Sequence, residues 1–574
     1  MMEAIKGVPY GMSNFTDVRE QNRYYVDKTM YLPLLEEQAN YLIFIRPRRF
    51  GKSLFLDMLR SYYDLSQKDK FQSLFGDLWI GKHPTPLQGT YQMLYLDFSK
   101  IGGGIDDLPR NSDAYSTVQL NGFLNRYQEY YSDEFISSFR SAEKGIDKLH
   151  ILDDEARRLG YRLYLIIDEY DNFTNVVLNE RGNEIYKAIT HASGFYRDAF
   201  KNYKGMFDRI FMTGVSPVTL DDLTSGFNIG WNISTNPFFN QMLGFSEEDV
   251  RAMLRYYQEA GQLKGDVEEM IQEMKPWYDN YCFAEESLKR DSKMFNCDMV
   301  LYYLRNRIQS GQSPKHMIDP NTKTDYNKMK NLIRLDRLDG DRKGVLRKIT
   351  EEGRILTSLF NSFSADELTK PEIFPSLLFY YGMLTLVGTR GDRVILGIPN
   401  NNVRKQYYEY LLEEFQSKGD INLNGLKDLF DGMTFDGDWH PALEFIAHAY
   451  KDNSSVRSSI EGERNIQGFF TAYLSINAYY LTMPEVELNH GFCDMFLMPD
   501  LQRYPDIEHS YILELKYLPK DKFDKQAAEQ WDVAVEQIHG YAEGTKVRQL
   551  CRGTRLHCIV MQFCGWELAR MEEV

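Results

Sequence analysis

Residues 41–53 read Tyr-Leu-Ile-Phe-Ile-Arg-Pro-Arg-Arg-Phe-Gly-Lys-Ser. The apolar run at 41–45 predicts a buried strand, and the residues after Gly51 have the apolar periodicity of an amphipathic helix. A strand, a tight turn ending in Gly-Lys-Ser and a helix make a frame whose backbone N–H groups point at a bound anion. The stretch therefore predicts a phosphate-binding site.

This frame is a P-loop with one departure from the usual pattern. Gly51 completes the turn, Lys52 would reach the outer phosphates of a nucleotide, and the Ser53 hydroxyl would ligate Mg²⁺. The position five before Gly51 is usually glycine, but this chain has Arg46. We expect ATP and Mg²⁺ as cofactors here. Because the glycine is missing, the loop pattern does not decide whether ATP is hydrolysed. Three loop arginines could offset phosphate charge or bind nucleic acid, namely Arg46, Arg48 and Arg49.

A second predicted strand supplies the acids that such a site needs. Residues 163–167 are apolar and are followed by Asp168 and Glu169. We expect Asp168 to hold Mg²⁺ through its water shell and Glu169 to orient and deprotonate the attacking water. The alternative is a strand that ends in two acids by chance. Thr213, at the end of a later strand, is a candidate sensor of the outer phosphate, although a threonine there also suits a structural role.

Strand and helix patterns alternate through the first 240 residues. Strands are predicted at 41–45, 92–97, 162–167 and 209–213. Helices are predicted between them, for example at 57–63, 118–135 and 185–200. This alternation indicates βαβ units and a mainly parallel sheet, so the fold class is α/β. Such sheets bind ligands at the carboxyl ends of their strands, where Asp168 and Thr213 fall.

Beyond this region the pattern becomes helical. Ser246 followed by acidic residues is typical of a helix N-cap. Residues 374–398 predict a helix followed by a hairpin, and the polar residues 417–420 indicate a linker. We expect a P-loop domain at 1–240, a helical or winged-helix-like middle region at 241–420 and a C-terminal α/β domain at 421–574.

The composition is that of a globular chain of 574 residues with a net charge of −16. No stretch is long and apolar enough to cross a bilayer, and no signal-peptide pattern is present. Six scattered cysteines without zinc-like pairing fit reduced thiols. We therefore expect a cytoplasmic protein with no membrane partner.

The charge is unevenly distributed. Residues 301–350 hold 12 Lys and Arg against 5 Asp and Glu, whereas residues 431–574 hold 13 against 23. Because phosphate contacts dominate nucleic-acid affinity, the middle region is the better candidate to hold DNA or another nucleic acid. The alternative is an ordinary solvated helix face.

A second group of candidate residues lies near the carboxyl end. Residues 510–518 alternate as in a strand, which places Glu514 and Lys516 on one face. Residues 491–497 predict another strand, and a hairpin would bring its Asp494 beside Glu514. Asp494 and Glu514 could hold Mg²⁺ for phosphodiester hydrolysis, with Lys516 positioning the attacking water. The alternative is a surface strand with alternating charges.

Three further residues accompany this group. Glu463 begins a predicted helix and could supply another acid. Gln537 and Tyr541 lie at helical spacing after the second strand. The alternative for Gln537 and Tyr541 is a helix that only packs on the sheet.

Several of these segments resemble the AAA-ATPase-like family, whose mostly bacterial members often carry a C-terminal nuclease-like domain. The resemblance rests on residues 24–29, 46–53, 167–171, 213–217, 277–281 and 379–382. The family loop itself reads Arg-Pro-Arg-Arg-Phe-Gly-Lys-Ser, so Arg46 is a family feature. The order of helix acid, Asp strand, Glu-X-Lys strand and Gln helix resembles the PD-(D/E)XK nuclease superfamily. This implies a restriction-endonuclease-like domain, although Phe492 stands where the related domain often has arginine.

Together these patterns predict an ATP-binding protein, an ATPase, whose nucleotide state gates a metal-dependent nuclease. The predicted catalytic residues are Glu169, Asp494, Glu514 and Lys516. Expected partners are DNA or another nucleic acid and further copies of the chain. One alternative is a nucleotide-dependent switch or scaffold with an inactive nuclease-like domain. Another is a nuclease whose P-loop domain is only structural.

Overall fold

In the computed structural model the chain folds as two units. The first comprises residues 1–343 and 356–401, and the second comprises 344–355 and 402–574. The structure describes residues 4–103, 107–172, 200–218, 230–290, 292–314, 316–320, 342–363, 367, 370–416, 423–454, 463–488, 491–501, 503–551 and 553–574. The helix predicted at 185–200 (Phe200 excepted), the linker predicted at 417–420 and residues 321–341 of the basic stretch lie outside them.

The first unit is built on the predicted parallel sheet. Its strands are β1 (Tyr41–Ile45), β2 (Tyr91–Asp97), β3 (Arg162–Asp168), β4 (Arg209–Gly214) and β5 (Trp231–Asn232). They lie in the order β2-β3-β4-β1-β5, with every neighbouring pair parallel. β1 is buried along its whole length, as expected for an inner strand covered on both faces. The four strands predicted from sequence are confirmed, and the loops that follow them share one edge of the sheet.

Helices of this unit alternate with the strands. They span Phe15–Glu20, Tyr31–Glu36, Lys52–Tyr63, Phe71–Phe75, Trp79–Lys82, Leu108–Tyr127, Asp133–Ser141 and Gly145–Leu159. Short 3₁₀ turns lie at Leu65–Lys70, Phe98–Lys100, Gln128–Tyr130 and Pro237–Phe239. The helix predicted at 118–135 is confirmed as far as Tyr127, but it is not continuous to residue 135. Ser132 caps a new helix by accepting a hydrogen bond from the Phe135 N–H, and an N-cap residue is not itself helical.

A helical region at 247–310 follows the sheet. Its helices are Glu247–Glu259, Val267–Tyr278 and Cys297–Ser310. As predicted, Ser246 is an N-cap, and it forms a capping box with Asp249. Apolar side chains of the three helices share one core, for example Leu254, Met270 and Leu304.

The chain continues with further short elements. These are the helix Arg342–Glu352, β6 (Arg354–Thr357), the helix Phe374–Tyr380, β7 (Thr385–Arg390) and β8 (Arg393–Gly397). β7 and β8 form an antiparallel hairpin, which confirms the helix and hairpin predicted at 374–398. 3₁₀ turns lie at Glu285–Arg290 and Pro371–Ile373.

The second unit contains a mixed five-stranded sheet. Its strands are β9 (Tyr480–Leu488), β10 (Gly491–Pro499), β11 (His509–Leu518), β12 (Arg555–Cys564) and β13 (Glu567–Glu573). They lie in the order β13-β12-β11-β10-β9. β10 and β11 are antiparallel, which confirms the predicted hairpin, whereas β11 and β12 are parallel.

Helices cover both faces of this second sheet. They span Asn401–Gln416, Leu423–Asp431, His440–Ser454, Glu463–Leu474, Lys520–Ala542 and Thr545–Cys551, with a π-helical turn at Gly432–Asp436. One core joins the sheet to residues 440–454 and 463–474, and a second joins it to residues 520–542. The central residues of β10 and β11 are therefore buried on both faces, whereas Phe492 near the start of β10 is exposed.

These features confirm the predicted fold class. The chain has a parallel α/β sheet that carries the phosphate-binding loop, a helical middle and a C-terminal α/β sheet. In the part of the chain that the structure describes, no helix is both apolar and long enough to span a membrane.

Gly382 packs against Pro47 of the phosphate-binding loop, and a substitution there tests how closely the two segments are packed. It has φ +76°, and a Cβ there would lie 2.8 Å from Cβ of Pro47. We expect Gly382→Ala to lower the free energy of unfolding by roughly 2–4 kcal/mol, from left-handed strain and overpacking together.

Gly391→Ala is the matched control. Gly391 has φ +65°, and no atom lies within 4 Å of the position that an alanine Cβ would occupy. This change should cost only the left-handed strain, about 1–2 kcal/mol. Equal losses for both variants in denaturant melts would contradict the packing account.

Candidate functional site

The loop after β1 is shaped to expose backbone N–H groups. Gly51 has φ +88° and Arg49 has φ +66°, so the chain turns through the left-handed region at both residues. Glycine adopts this conformation freely, but an arginine does so only where its surroundings hold it. The helix starts at Lys52 without a side-chain cap, so its first N–H groups point out of the helix. This arrangement suits phosphate binding.

Three predicted site residues meet beside this loop. The Ser53 hydroxyl donates a hydrogen bond of 2.8 Å to Oδ2 of Asp168. The buried Lys52 ammonium donates to the carbonyls of Arg46 and Pro47, at 3.0 Å each. Burial lowers the pKa of Lys52, and the neighbouring carboxylates oppose that shift. The hydroxyl and the carboxylate predicted to share Mg²⁺ are therefore already in contact.

The two acids after β3 lie in different surroundings. Asp168 is buried, which raises its pKa, and the nearby Lys52 ammonium opposes that shift. Glu169 has φ +52°, an uncommon conformation for a residue other than glycine. Backbone strain of this kind is concentrated at functional sites, so Glu169 is a candidate on structural grounds as well.

A cavity of about 450 Å³ opens beside the start of the helix. Its lining includes residues 48–53, Glu169, residues of the segment 24–28 and the first turn of the helix Cys297–Ser310. The volume falls in the range of small-molecule sites. The loop, the base candidate and part of the helical region thus face one space that can accept a nucleotide.

Arg46 does not face this cavity. Its side chain is 1% exposed and donates to the carbonyls of Ile45, Ser234 and Phe239 at 2.7–3.0 Å. The expectation that Arg46 could offset phosphate charge is therefore wrong, because its guanidinium is turned into the core. Arg48 and Arg49 do line the cavity. Arg46 is not one of the described non-glycine residues that have a positive φ, so the backbone at position 46 does not require glycine.

Thr213 lies within the sheet. Its hydroxyl is buried and donates a 2.7 Å hydrogen bond to the carbonyl of Phe44. It is not among the residues that line the cavity as the structure describes it. This geometry favours the structural alternative, and the sensor role stays a prediction.

The C-terminal candidates converge on β10 and β11. Lys516 Nζ lies 2.7 Å from Oε1 of Glu514 and 4.0 Å from Oδ2 of Asp494. The same Asp494 oxygen accepts a 2.7 Å hydrogen bond from the Leu515 N–H. The hairpin therefore brings the two predicted acids and the lysine together.

Burial sets the electrostatics of this group. Burial and the adjacent Glu514 carboxylate raise the pKa of Asp494, and burial also raises the pKa of Glu514. Burial alone would lower the pKa of Lys516, but the two carboxylates raise it above its ordinary value. Oε2 of Glu514 is buried without a hydrogen-bond partner. A cation beside these oxygens would satisfy the unpaired atom and relieve the repulsion between the acids.

The donor set fits Mg²⁺ held by few protein ligands. No group of three or more His, Cys, Asp or Glu poised to hold a metal is present in the described ranges. Mg²⁺ prefers oxygen ligands, retains several waters and is commonly held by one or two carboxylates. Asp494 and Glu514 are sufficient for that mode.

Surrounding residues differ in how they meet this group. Glu463 lies 3.8 Å from Lys516, so the predicted helix acid is adjacent. Tyr541 is buried, whereas Gln537 is exposed on the same helix. Phe492 is 58% exposed and supplies no charge. The structure therefore brings Glu463 to the group but does not bury Gln537 in it.

Two contacts were not predicted from sequence. The Gln467 amide donates to the main-chain carbonyl of Asp494 at 3.0 Å. Asp298 pairs with Arg49 at 2.8 Å across 249 positions of sequence. Neither residue belongs to a recognisable motif, and a contact over such a separation leaves no local pattern.

Comparison with known proteins agrees with this architecture. Residues 9–224 match a family model described as a predicted AAA-ATPase, and residues 461–573 match one described as the PD-(D/E)XK nuclease superfamily. The first match includes the phosphate-binding loop and Asp168. The second includes Asp494, Glu514 and Lys516.

Two individual proteins are also similar. An uncharacterized protein in the vnfD 5′ region of Azotobacter chroococcum mcd 1 is 26% identical over 294 residues, 49% of this chain. The chain spans about half the length of that relative (50%). The structure of the Aeropyrum pernix ORC1 protein in complex with DNA aligns over 67% of this chain and 90% of that one, at 10% identity and a TM-score of 0.25. By the two family matches, this chain carries an AAA-ATPase-like domain at residues 9–224 and a PD-(D/E)XK nuclease superfamily domain at residues 461–573.

Proposed function

We propose that the first domain binds and hydrolyses ATP with Mg²⁺. The contact between Ser53 and Asp168, 2.8 Å long, carries this proposal because it pairs the two residues that would share the ion. The N–H groups after Gly51 and the Lys52 ammonium hold phosphate oxygens. When bound, Mg²⁺ neutralises charge on the outer phosphates.

Glu169 is the proposed general base for ATP hydrolysis. Glu169 lines the cavity. Its carboxylate would accept a hydrogen bond from the attacking water and then take the proton of that water. Asp168, deeper and hydrogen-bonded to Ser53, holds the metal side of the site. The two adjacent acids thus have separate tasks.

We propose that the second domain hydrolyses phosphodiester bonds of DNA or another nucleic acid. Asp494 and Glu514 would hold Mg²⁺, which lowers the pKa of a bound water when it is present. Lys516 orients the attacking water and offsets the developing negative charge. The unpaired buried oxygen of Glu514 supports a cation at this position.

The third part of the proposal is that nucleotide state gates cleavage. The two family matches support it, since one chain that carries both an AAA-ATPase-like domain and a nuclease-like domain can link nucleotide binding to cleavage. The alternative is a nucleotide-dependent switch or scaffold whose nuclease-like domain is inactive. The direct 2.7 Å pairing of Lys516 with Glu514 favours that alternative if it persists when Mg²⁺ is supplied.

Lys52→Ala tests the nucleotide site. Lys52 is buried beneath the loop, so its loss should weaken ATP binding and lower hydrolysis by about 10²-fold or more. Binding is measured with a fluorescent ATP analogue and hydrolysis by phosphate release. The control, Lys82→Ala, removes an exposed lysine and should leave both unchanged. Equal activity of Lys52→Ala and the control would contradict the site.

Asp494→Asn tests the nuclease site. We expect it to abolish Mg²⁺- or Mn²⁺-dependent cleavage of labelled DNA and RNA, because a neutral amide cannot replace the charge of a metal-binding carboxylate. Glu536→Gln, an exposed change on the helix Lys520–Ala542, should cleave normally. No cleavage by the wild type above Asp494→Asn, with any substrate and with or without ATP, would favour the inactive alternative.

The raised pKa of Asp494 predicts how stability depends on pH. Its folded pKa lies above the ordinary carboxyl value, so the native state binds the proton more tightly than the unfolded state. Without metal, the free energy of unfolding should therefore fall as pH rises from about 4, the ordinary carboxyl pKa, to about 8, the folded pKa of Asp494. Mg²⁺ binds the deprotonated acids and should restore stability most at the higher pH.

Calorimetry with EDTA or Mg²⁺ measures this dependence. Asp494→Asn should flatten both the pH slope and the response to Mg²⁺, and Glu536→Gln should retain them. A wild-type stability that rises over this range without metal, by an amount that Asp494→Asn removes, would contradict the assignment.

A further inference from the structure

Two cationic side chains that line the nucleotide cavity form ion pairs with the helical region. Lys28 lies 2.7 Å from Asp249, and Arg49 lies 2.8 Å from Asp298. Both acids lie in the first turn of a helix, where the helix dipole favours a negative charge. The helical region is thus tied by charge to the segment and loop that surround the phosphates.

The two pairs differ in what an entering nucleotide would meet. Asp249 is committed to a capping box through the Ser246 N–H at 2.8 Å and does not line the cavity. Asp298 lines the cavity, and its side chain is 23% exposed. Arg49 is 20% exposed, so its pair with Asp298 is open to a competing anion.

The loop backbone beside Arg49 is held separately. The buried ring of Phe50 packs edge-on against Tyr281 at 5.0 Å, and its carbonyl accepts the Gly244 N–H at 3.2 Å. The loop can therefore keep its shape while the long Arg49 side chain changes partner. A guanidinium binds phosphate oxygens in a bidentate manner and remains charged throughout.

We propose that Arg49 is a further phosphate ligand of the nucleotide site and that Asp298 is a positioning residue that sets discrimination by phosphate number. Without nucleotide, Asp298 holds Arg49. A polyphosphate competes for the same guanidinium and also meets the Asp298 charge, so nucleotide binding replaces the pair between Arg49 and Asp298. This inference rests on the proposed nucleotide site and deepens it.

Binding of ATP, ADP and AMP to the full chain tests the inference. Asp298→Asn removes the competing charge and should tighten ATP about tenfold, ADP less, and AMP at most about twofold. Arg49→Gln should act in the opposite direction, weakening ATP more than AMP. The matched control is Glu259→Gln, an exposed loss of one negative charge in the same helical region, which should change none of the three.

The graded response separates this role from a purely structural one, which would shift all three nucleotides alike. Unchanged or uniformly weakened binding by Asp298→Asn, or an equal effect of Arg49→Gln on ATP and AMP, would overturn the inference while leaving the nucleotide site intact. Wild-type protein that binds none of the three nucleotides would instead overturn the nucleotide site itself. Circular dichroism measures whether each variant is folded. If Asp298→Asn does not fold, the comparison of ATP and AMP binding by Arg49→Gln tests the inference.

Discussion

The buried guanidinium of Arg46 is the interaction on which the phosphate-binding loop depends. It lies 4.2 Å from the ring centres of both Phe44 and Phe283, and it donates to the carbonyls of Ser234 and Phe239. Burial lowers the pKa of Arg46 to about 9, so the group remains charged near neutral pH. A charge in this position must keep its partners, because removing them would leave it unpaired in the core. Arg46 therefore fixes the strand end from which the loop departs.

The rest of the loop follows from this fixed start. The backbone turns at Arg49 and Gly51, which both have positive φ. The Lys52 ammonium then donates hydrogen bonds to two carbonyls at the start of the same loop. A glycine at position 46 is unnecessary, because the close backbone turn is shifted toward the helix. The loop keeps the uncapped helix start and the lysine that suit phosphate binding, and the buried, charged side chain of Arg46 fixes its first residue.

The two candidate sites share one physical plan. In each site, buried carboxylates lie at or near the end of a strand and a lysine offsets part of the free-energy cost of burying their charge. The lysine is Lys52 near Asp168 in the first site and Lys516 beside Glu514 in the second. Desolvation raises the pKa of the acids in both. A bound divalent cation stabilises the ionised form of a buried carboxylate. The burial of these acids is therefore consistent with the metal-dependent chemistry proposed for them.

The sequence predicted the parts of this structure that local patterns encode. Apolar runs located β1 and β3, alternation located β11, and Ser246 marked a helix start, because each depends on near neighbours in the chain. The inward turn of Arg46 was not predictable, since a motif describes residue types but not the direction of a side chain. Ser132 was missed as a cap inside an otherwise helical pattern. The pairing of Asp298 with Arg49 depends on tertiary packing alone.

We propose that the nucleotide site of the first domain controls cleavage at the nuclease site of the second domain. The decisive measurement is the rate at which the full chain cleaves nucleic acid in saturating Mg²⁺ with ATP, with ADP and without nucleotide. We expect rates that differ among the three conditions and a difference between ATP and ADP that disappears in Lys52→Ala. Cleavage at one rate in all three conditions would contradict it.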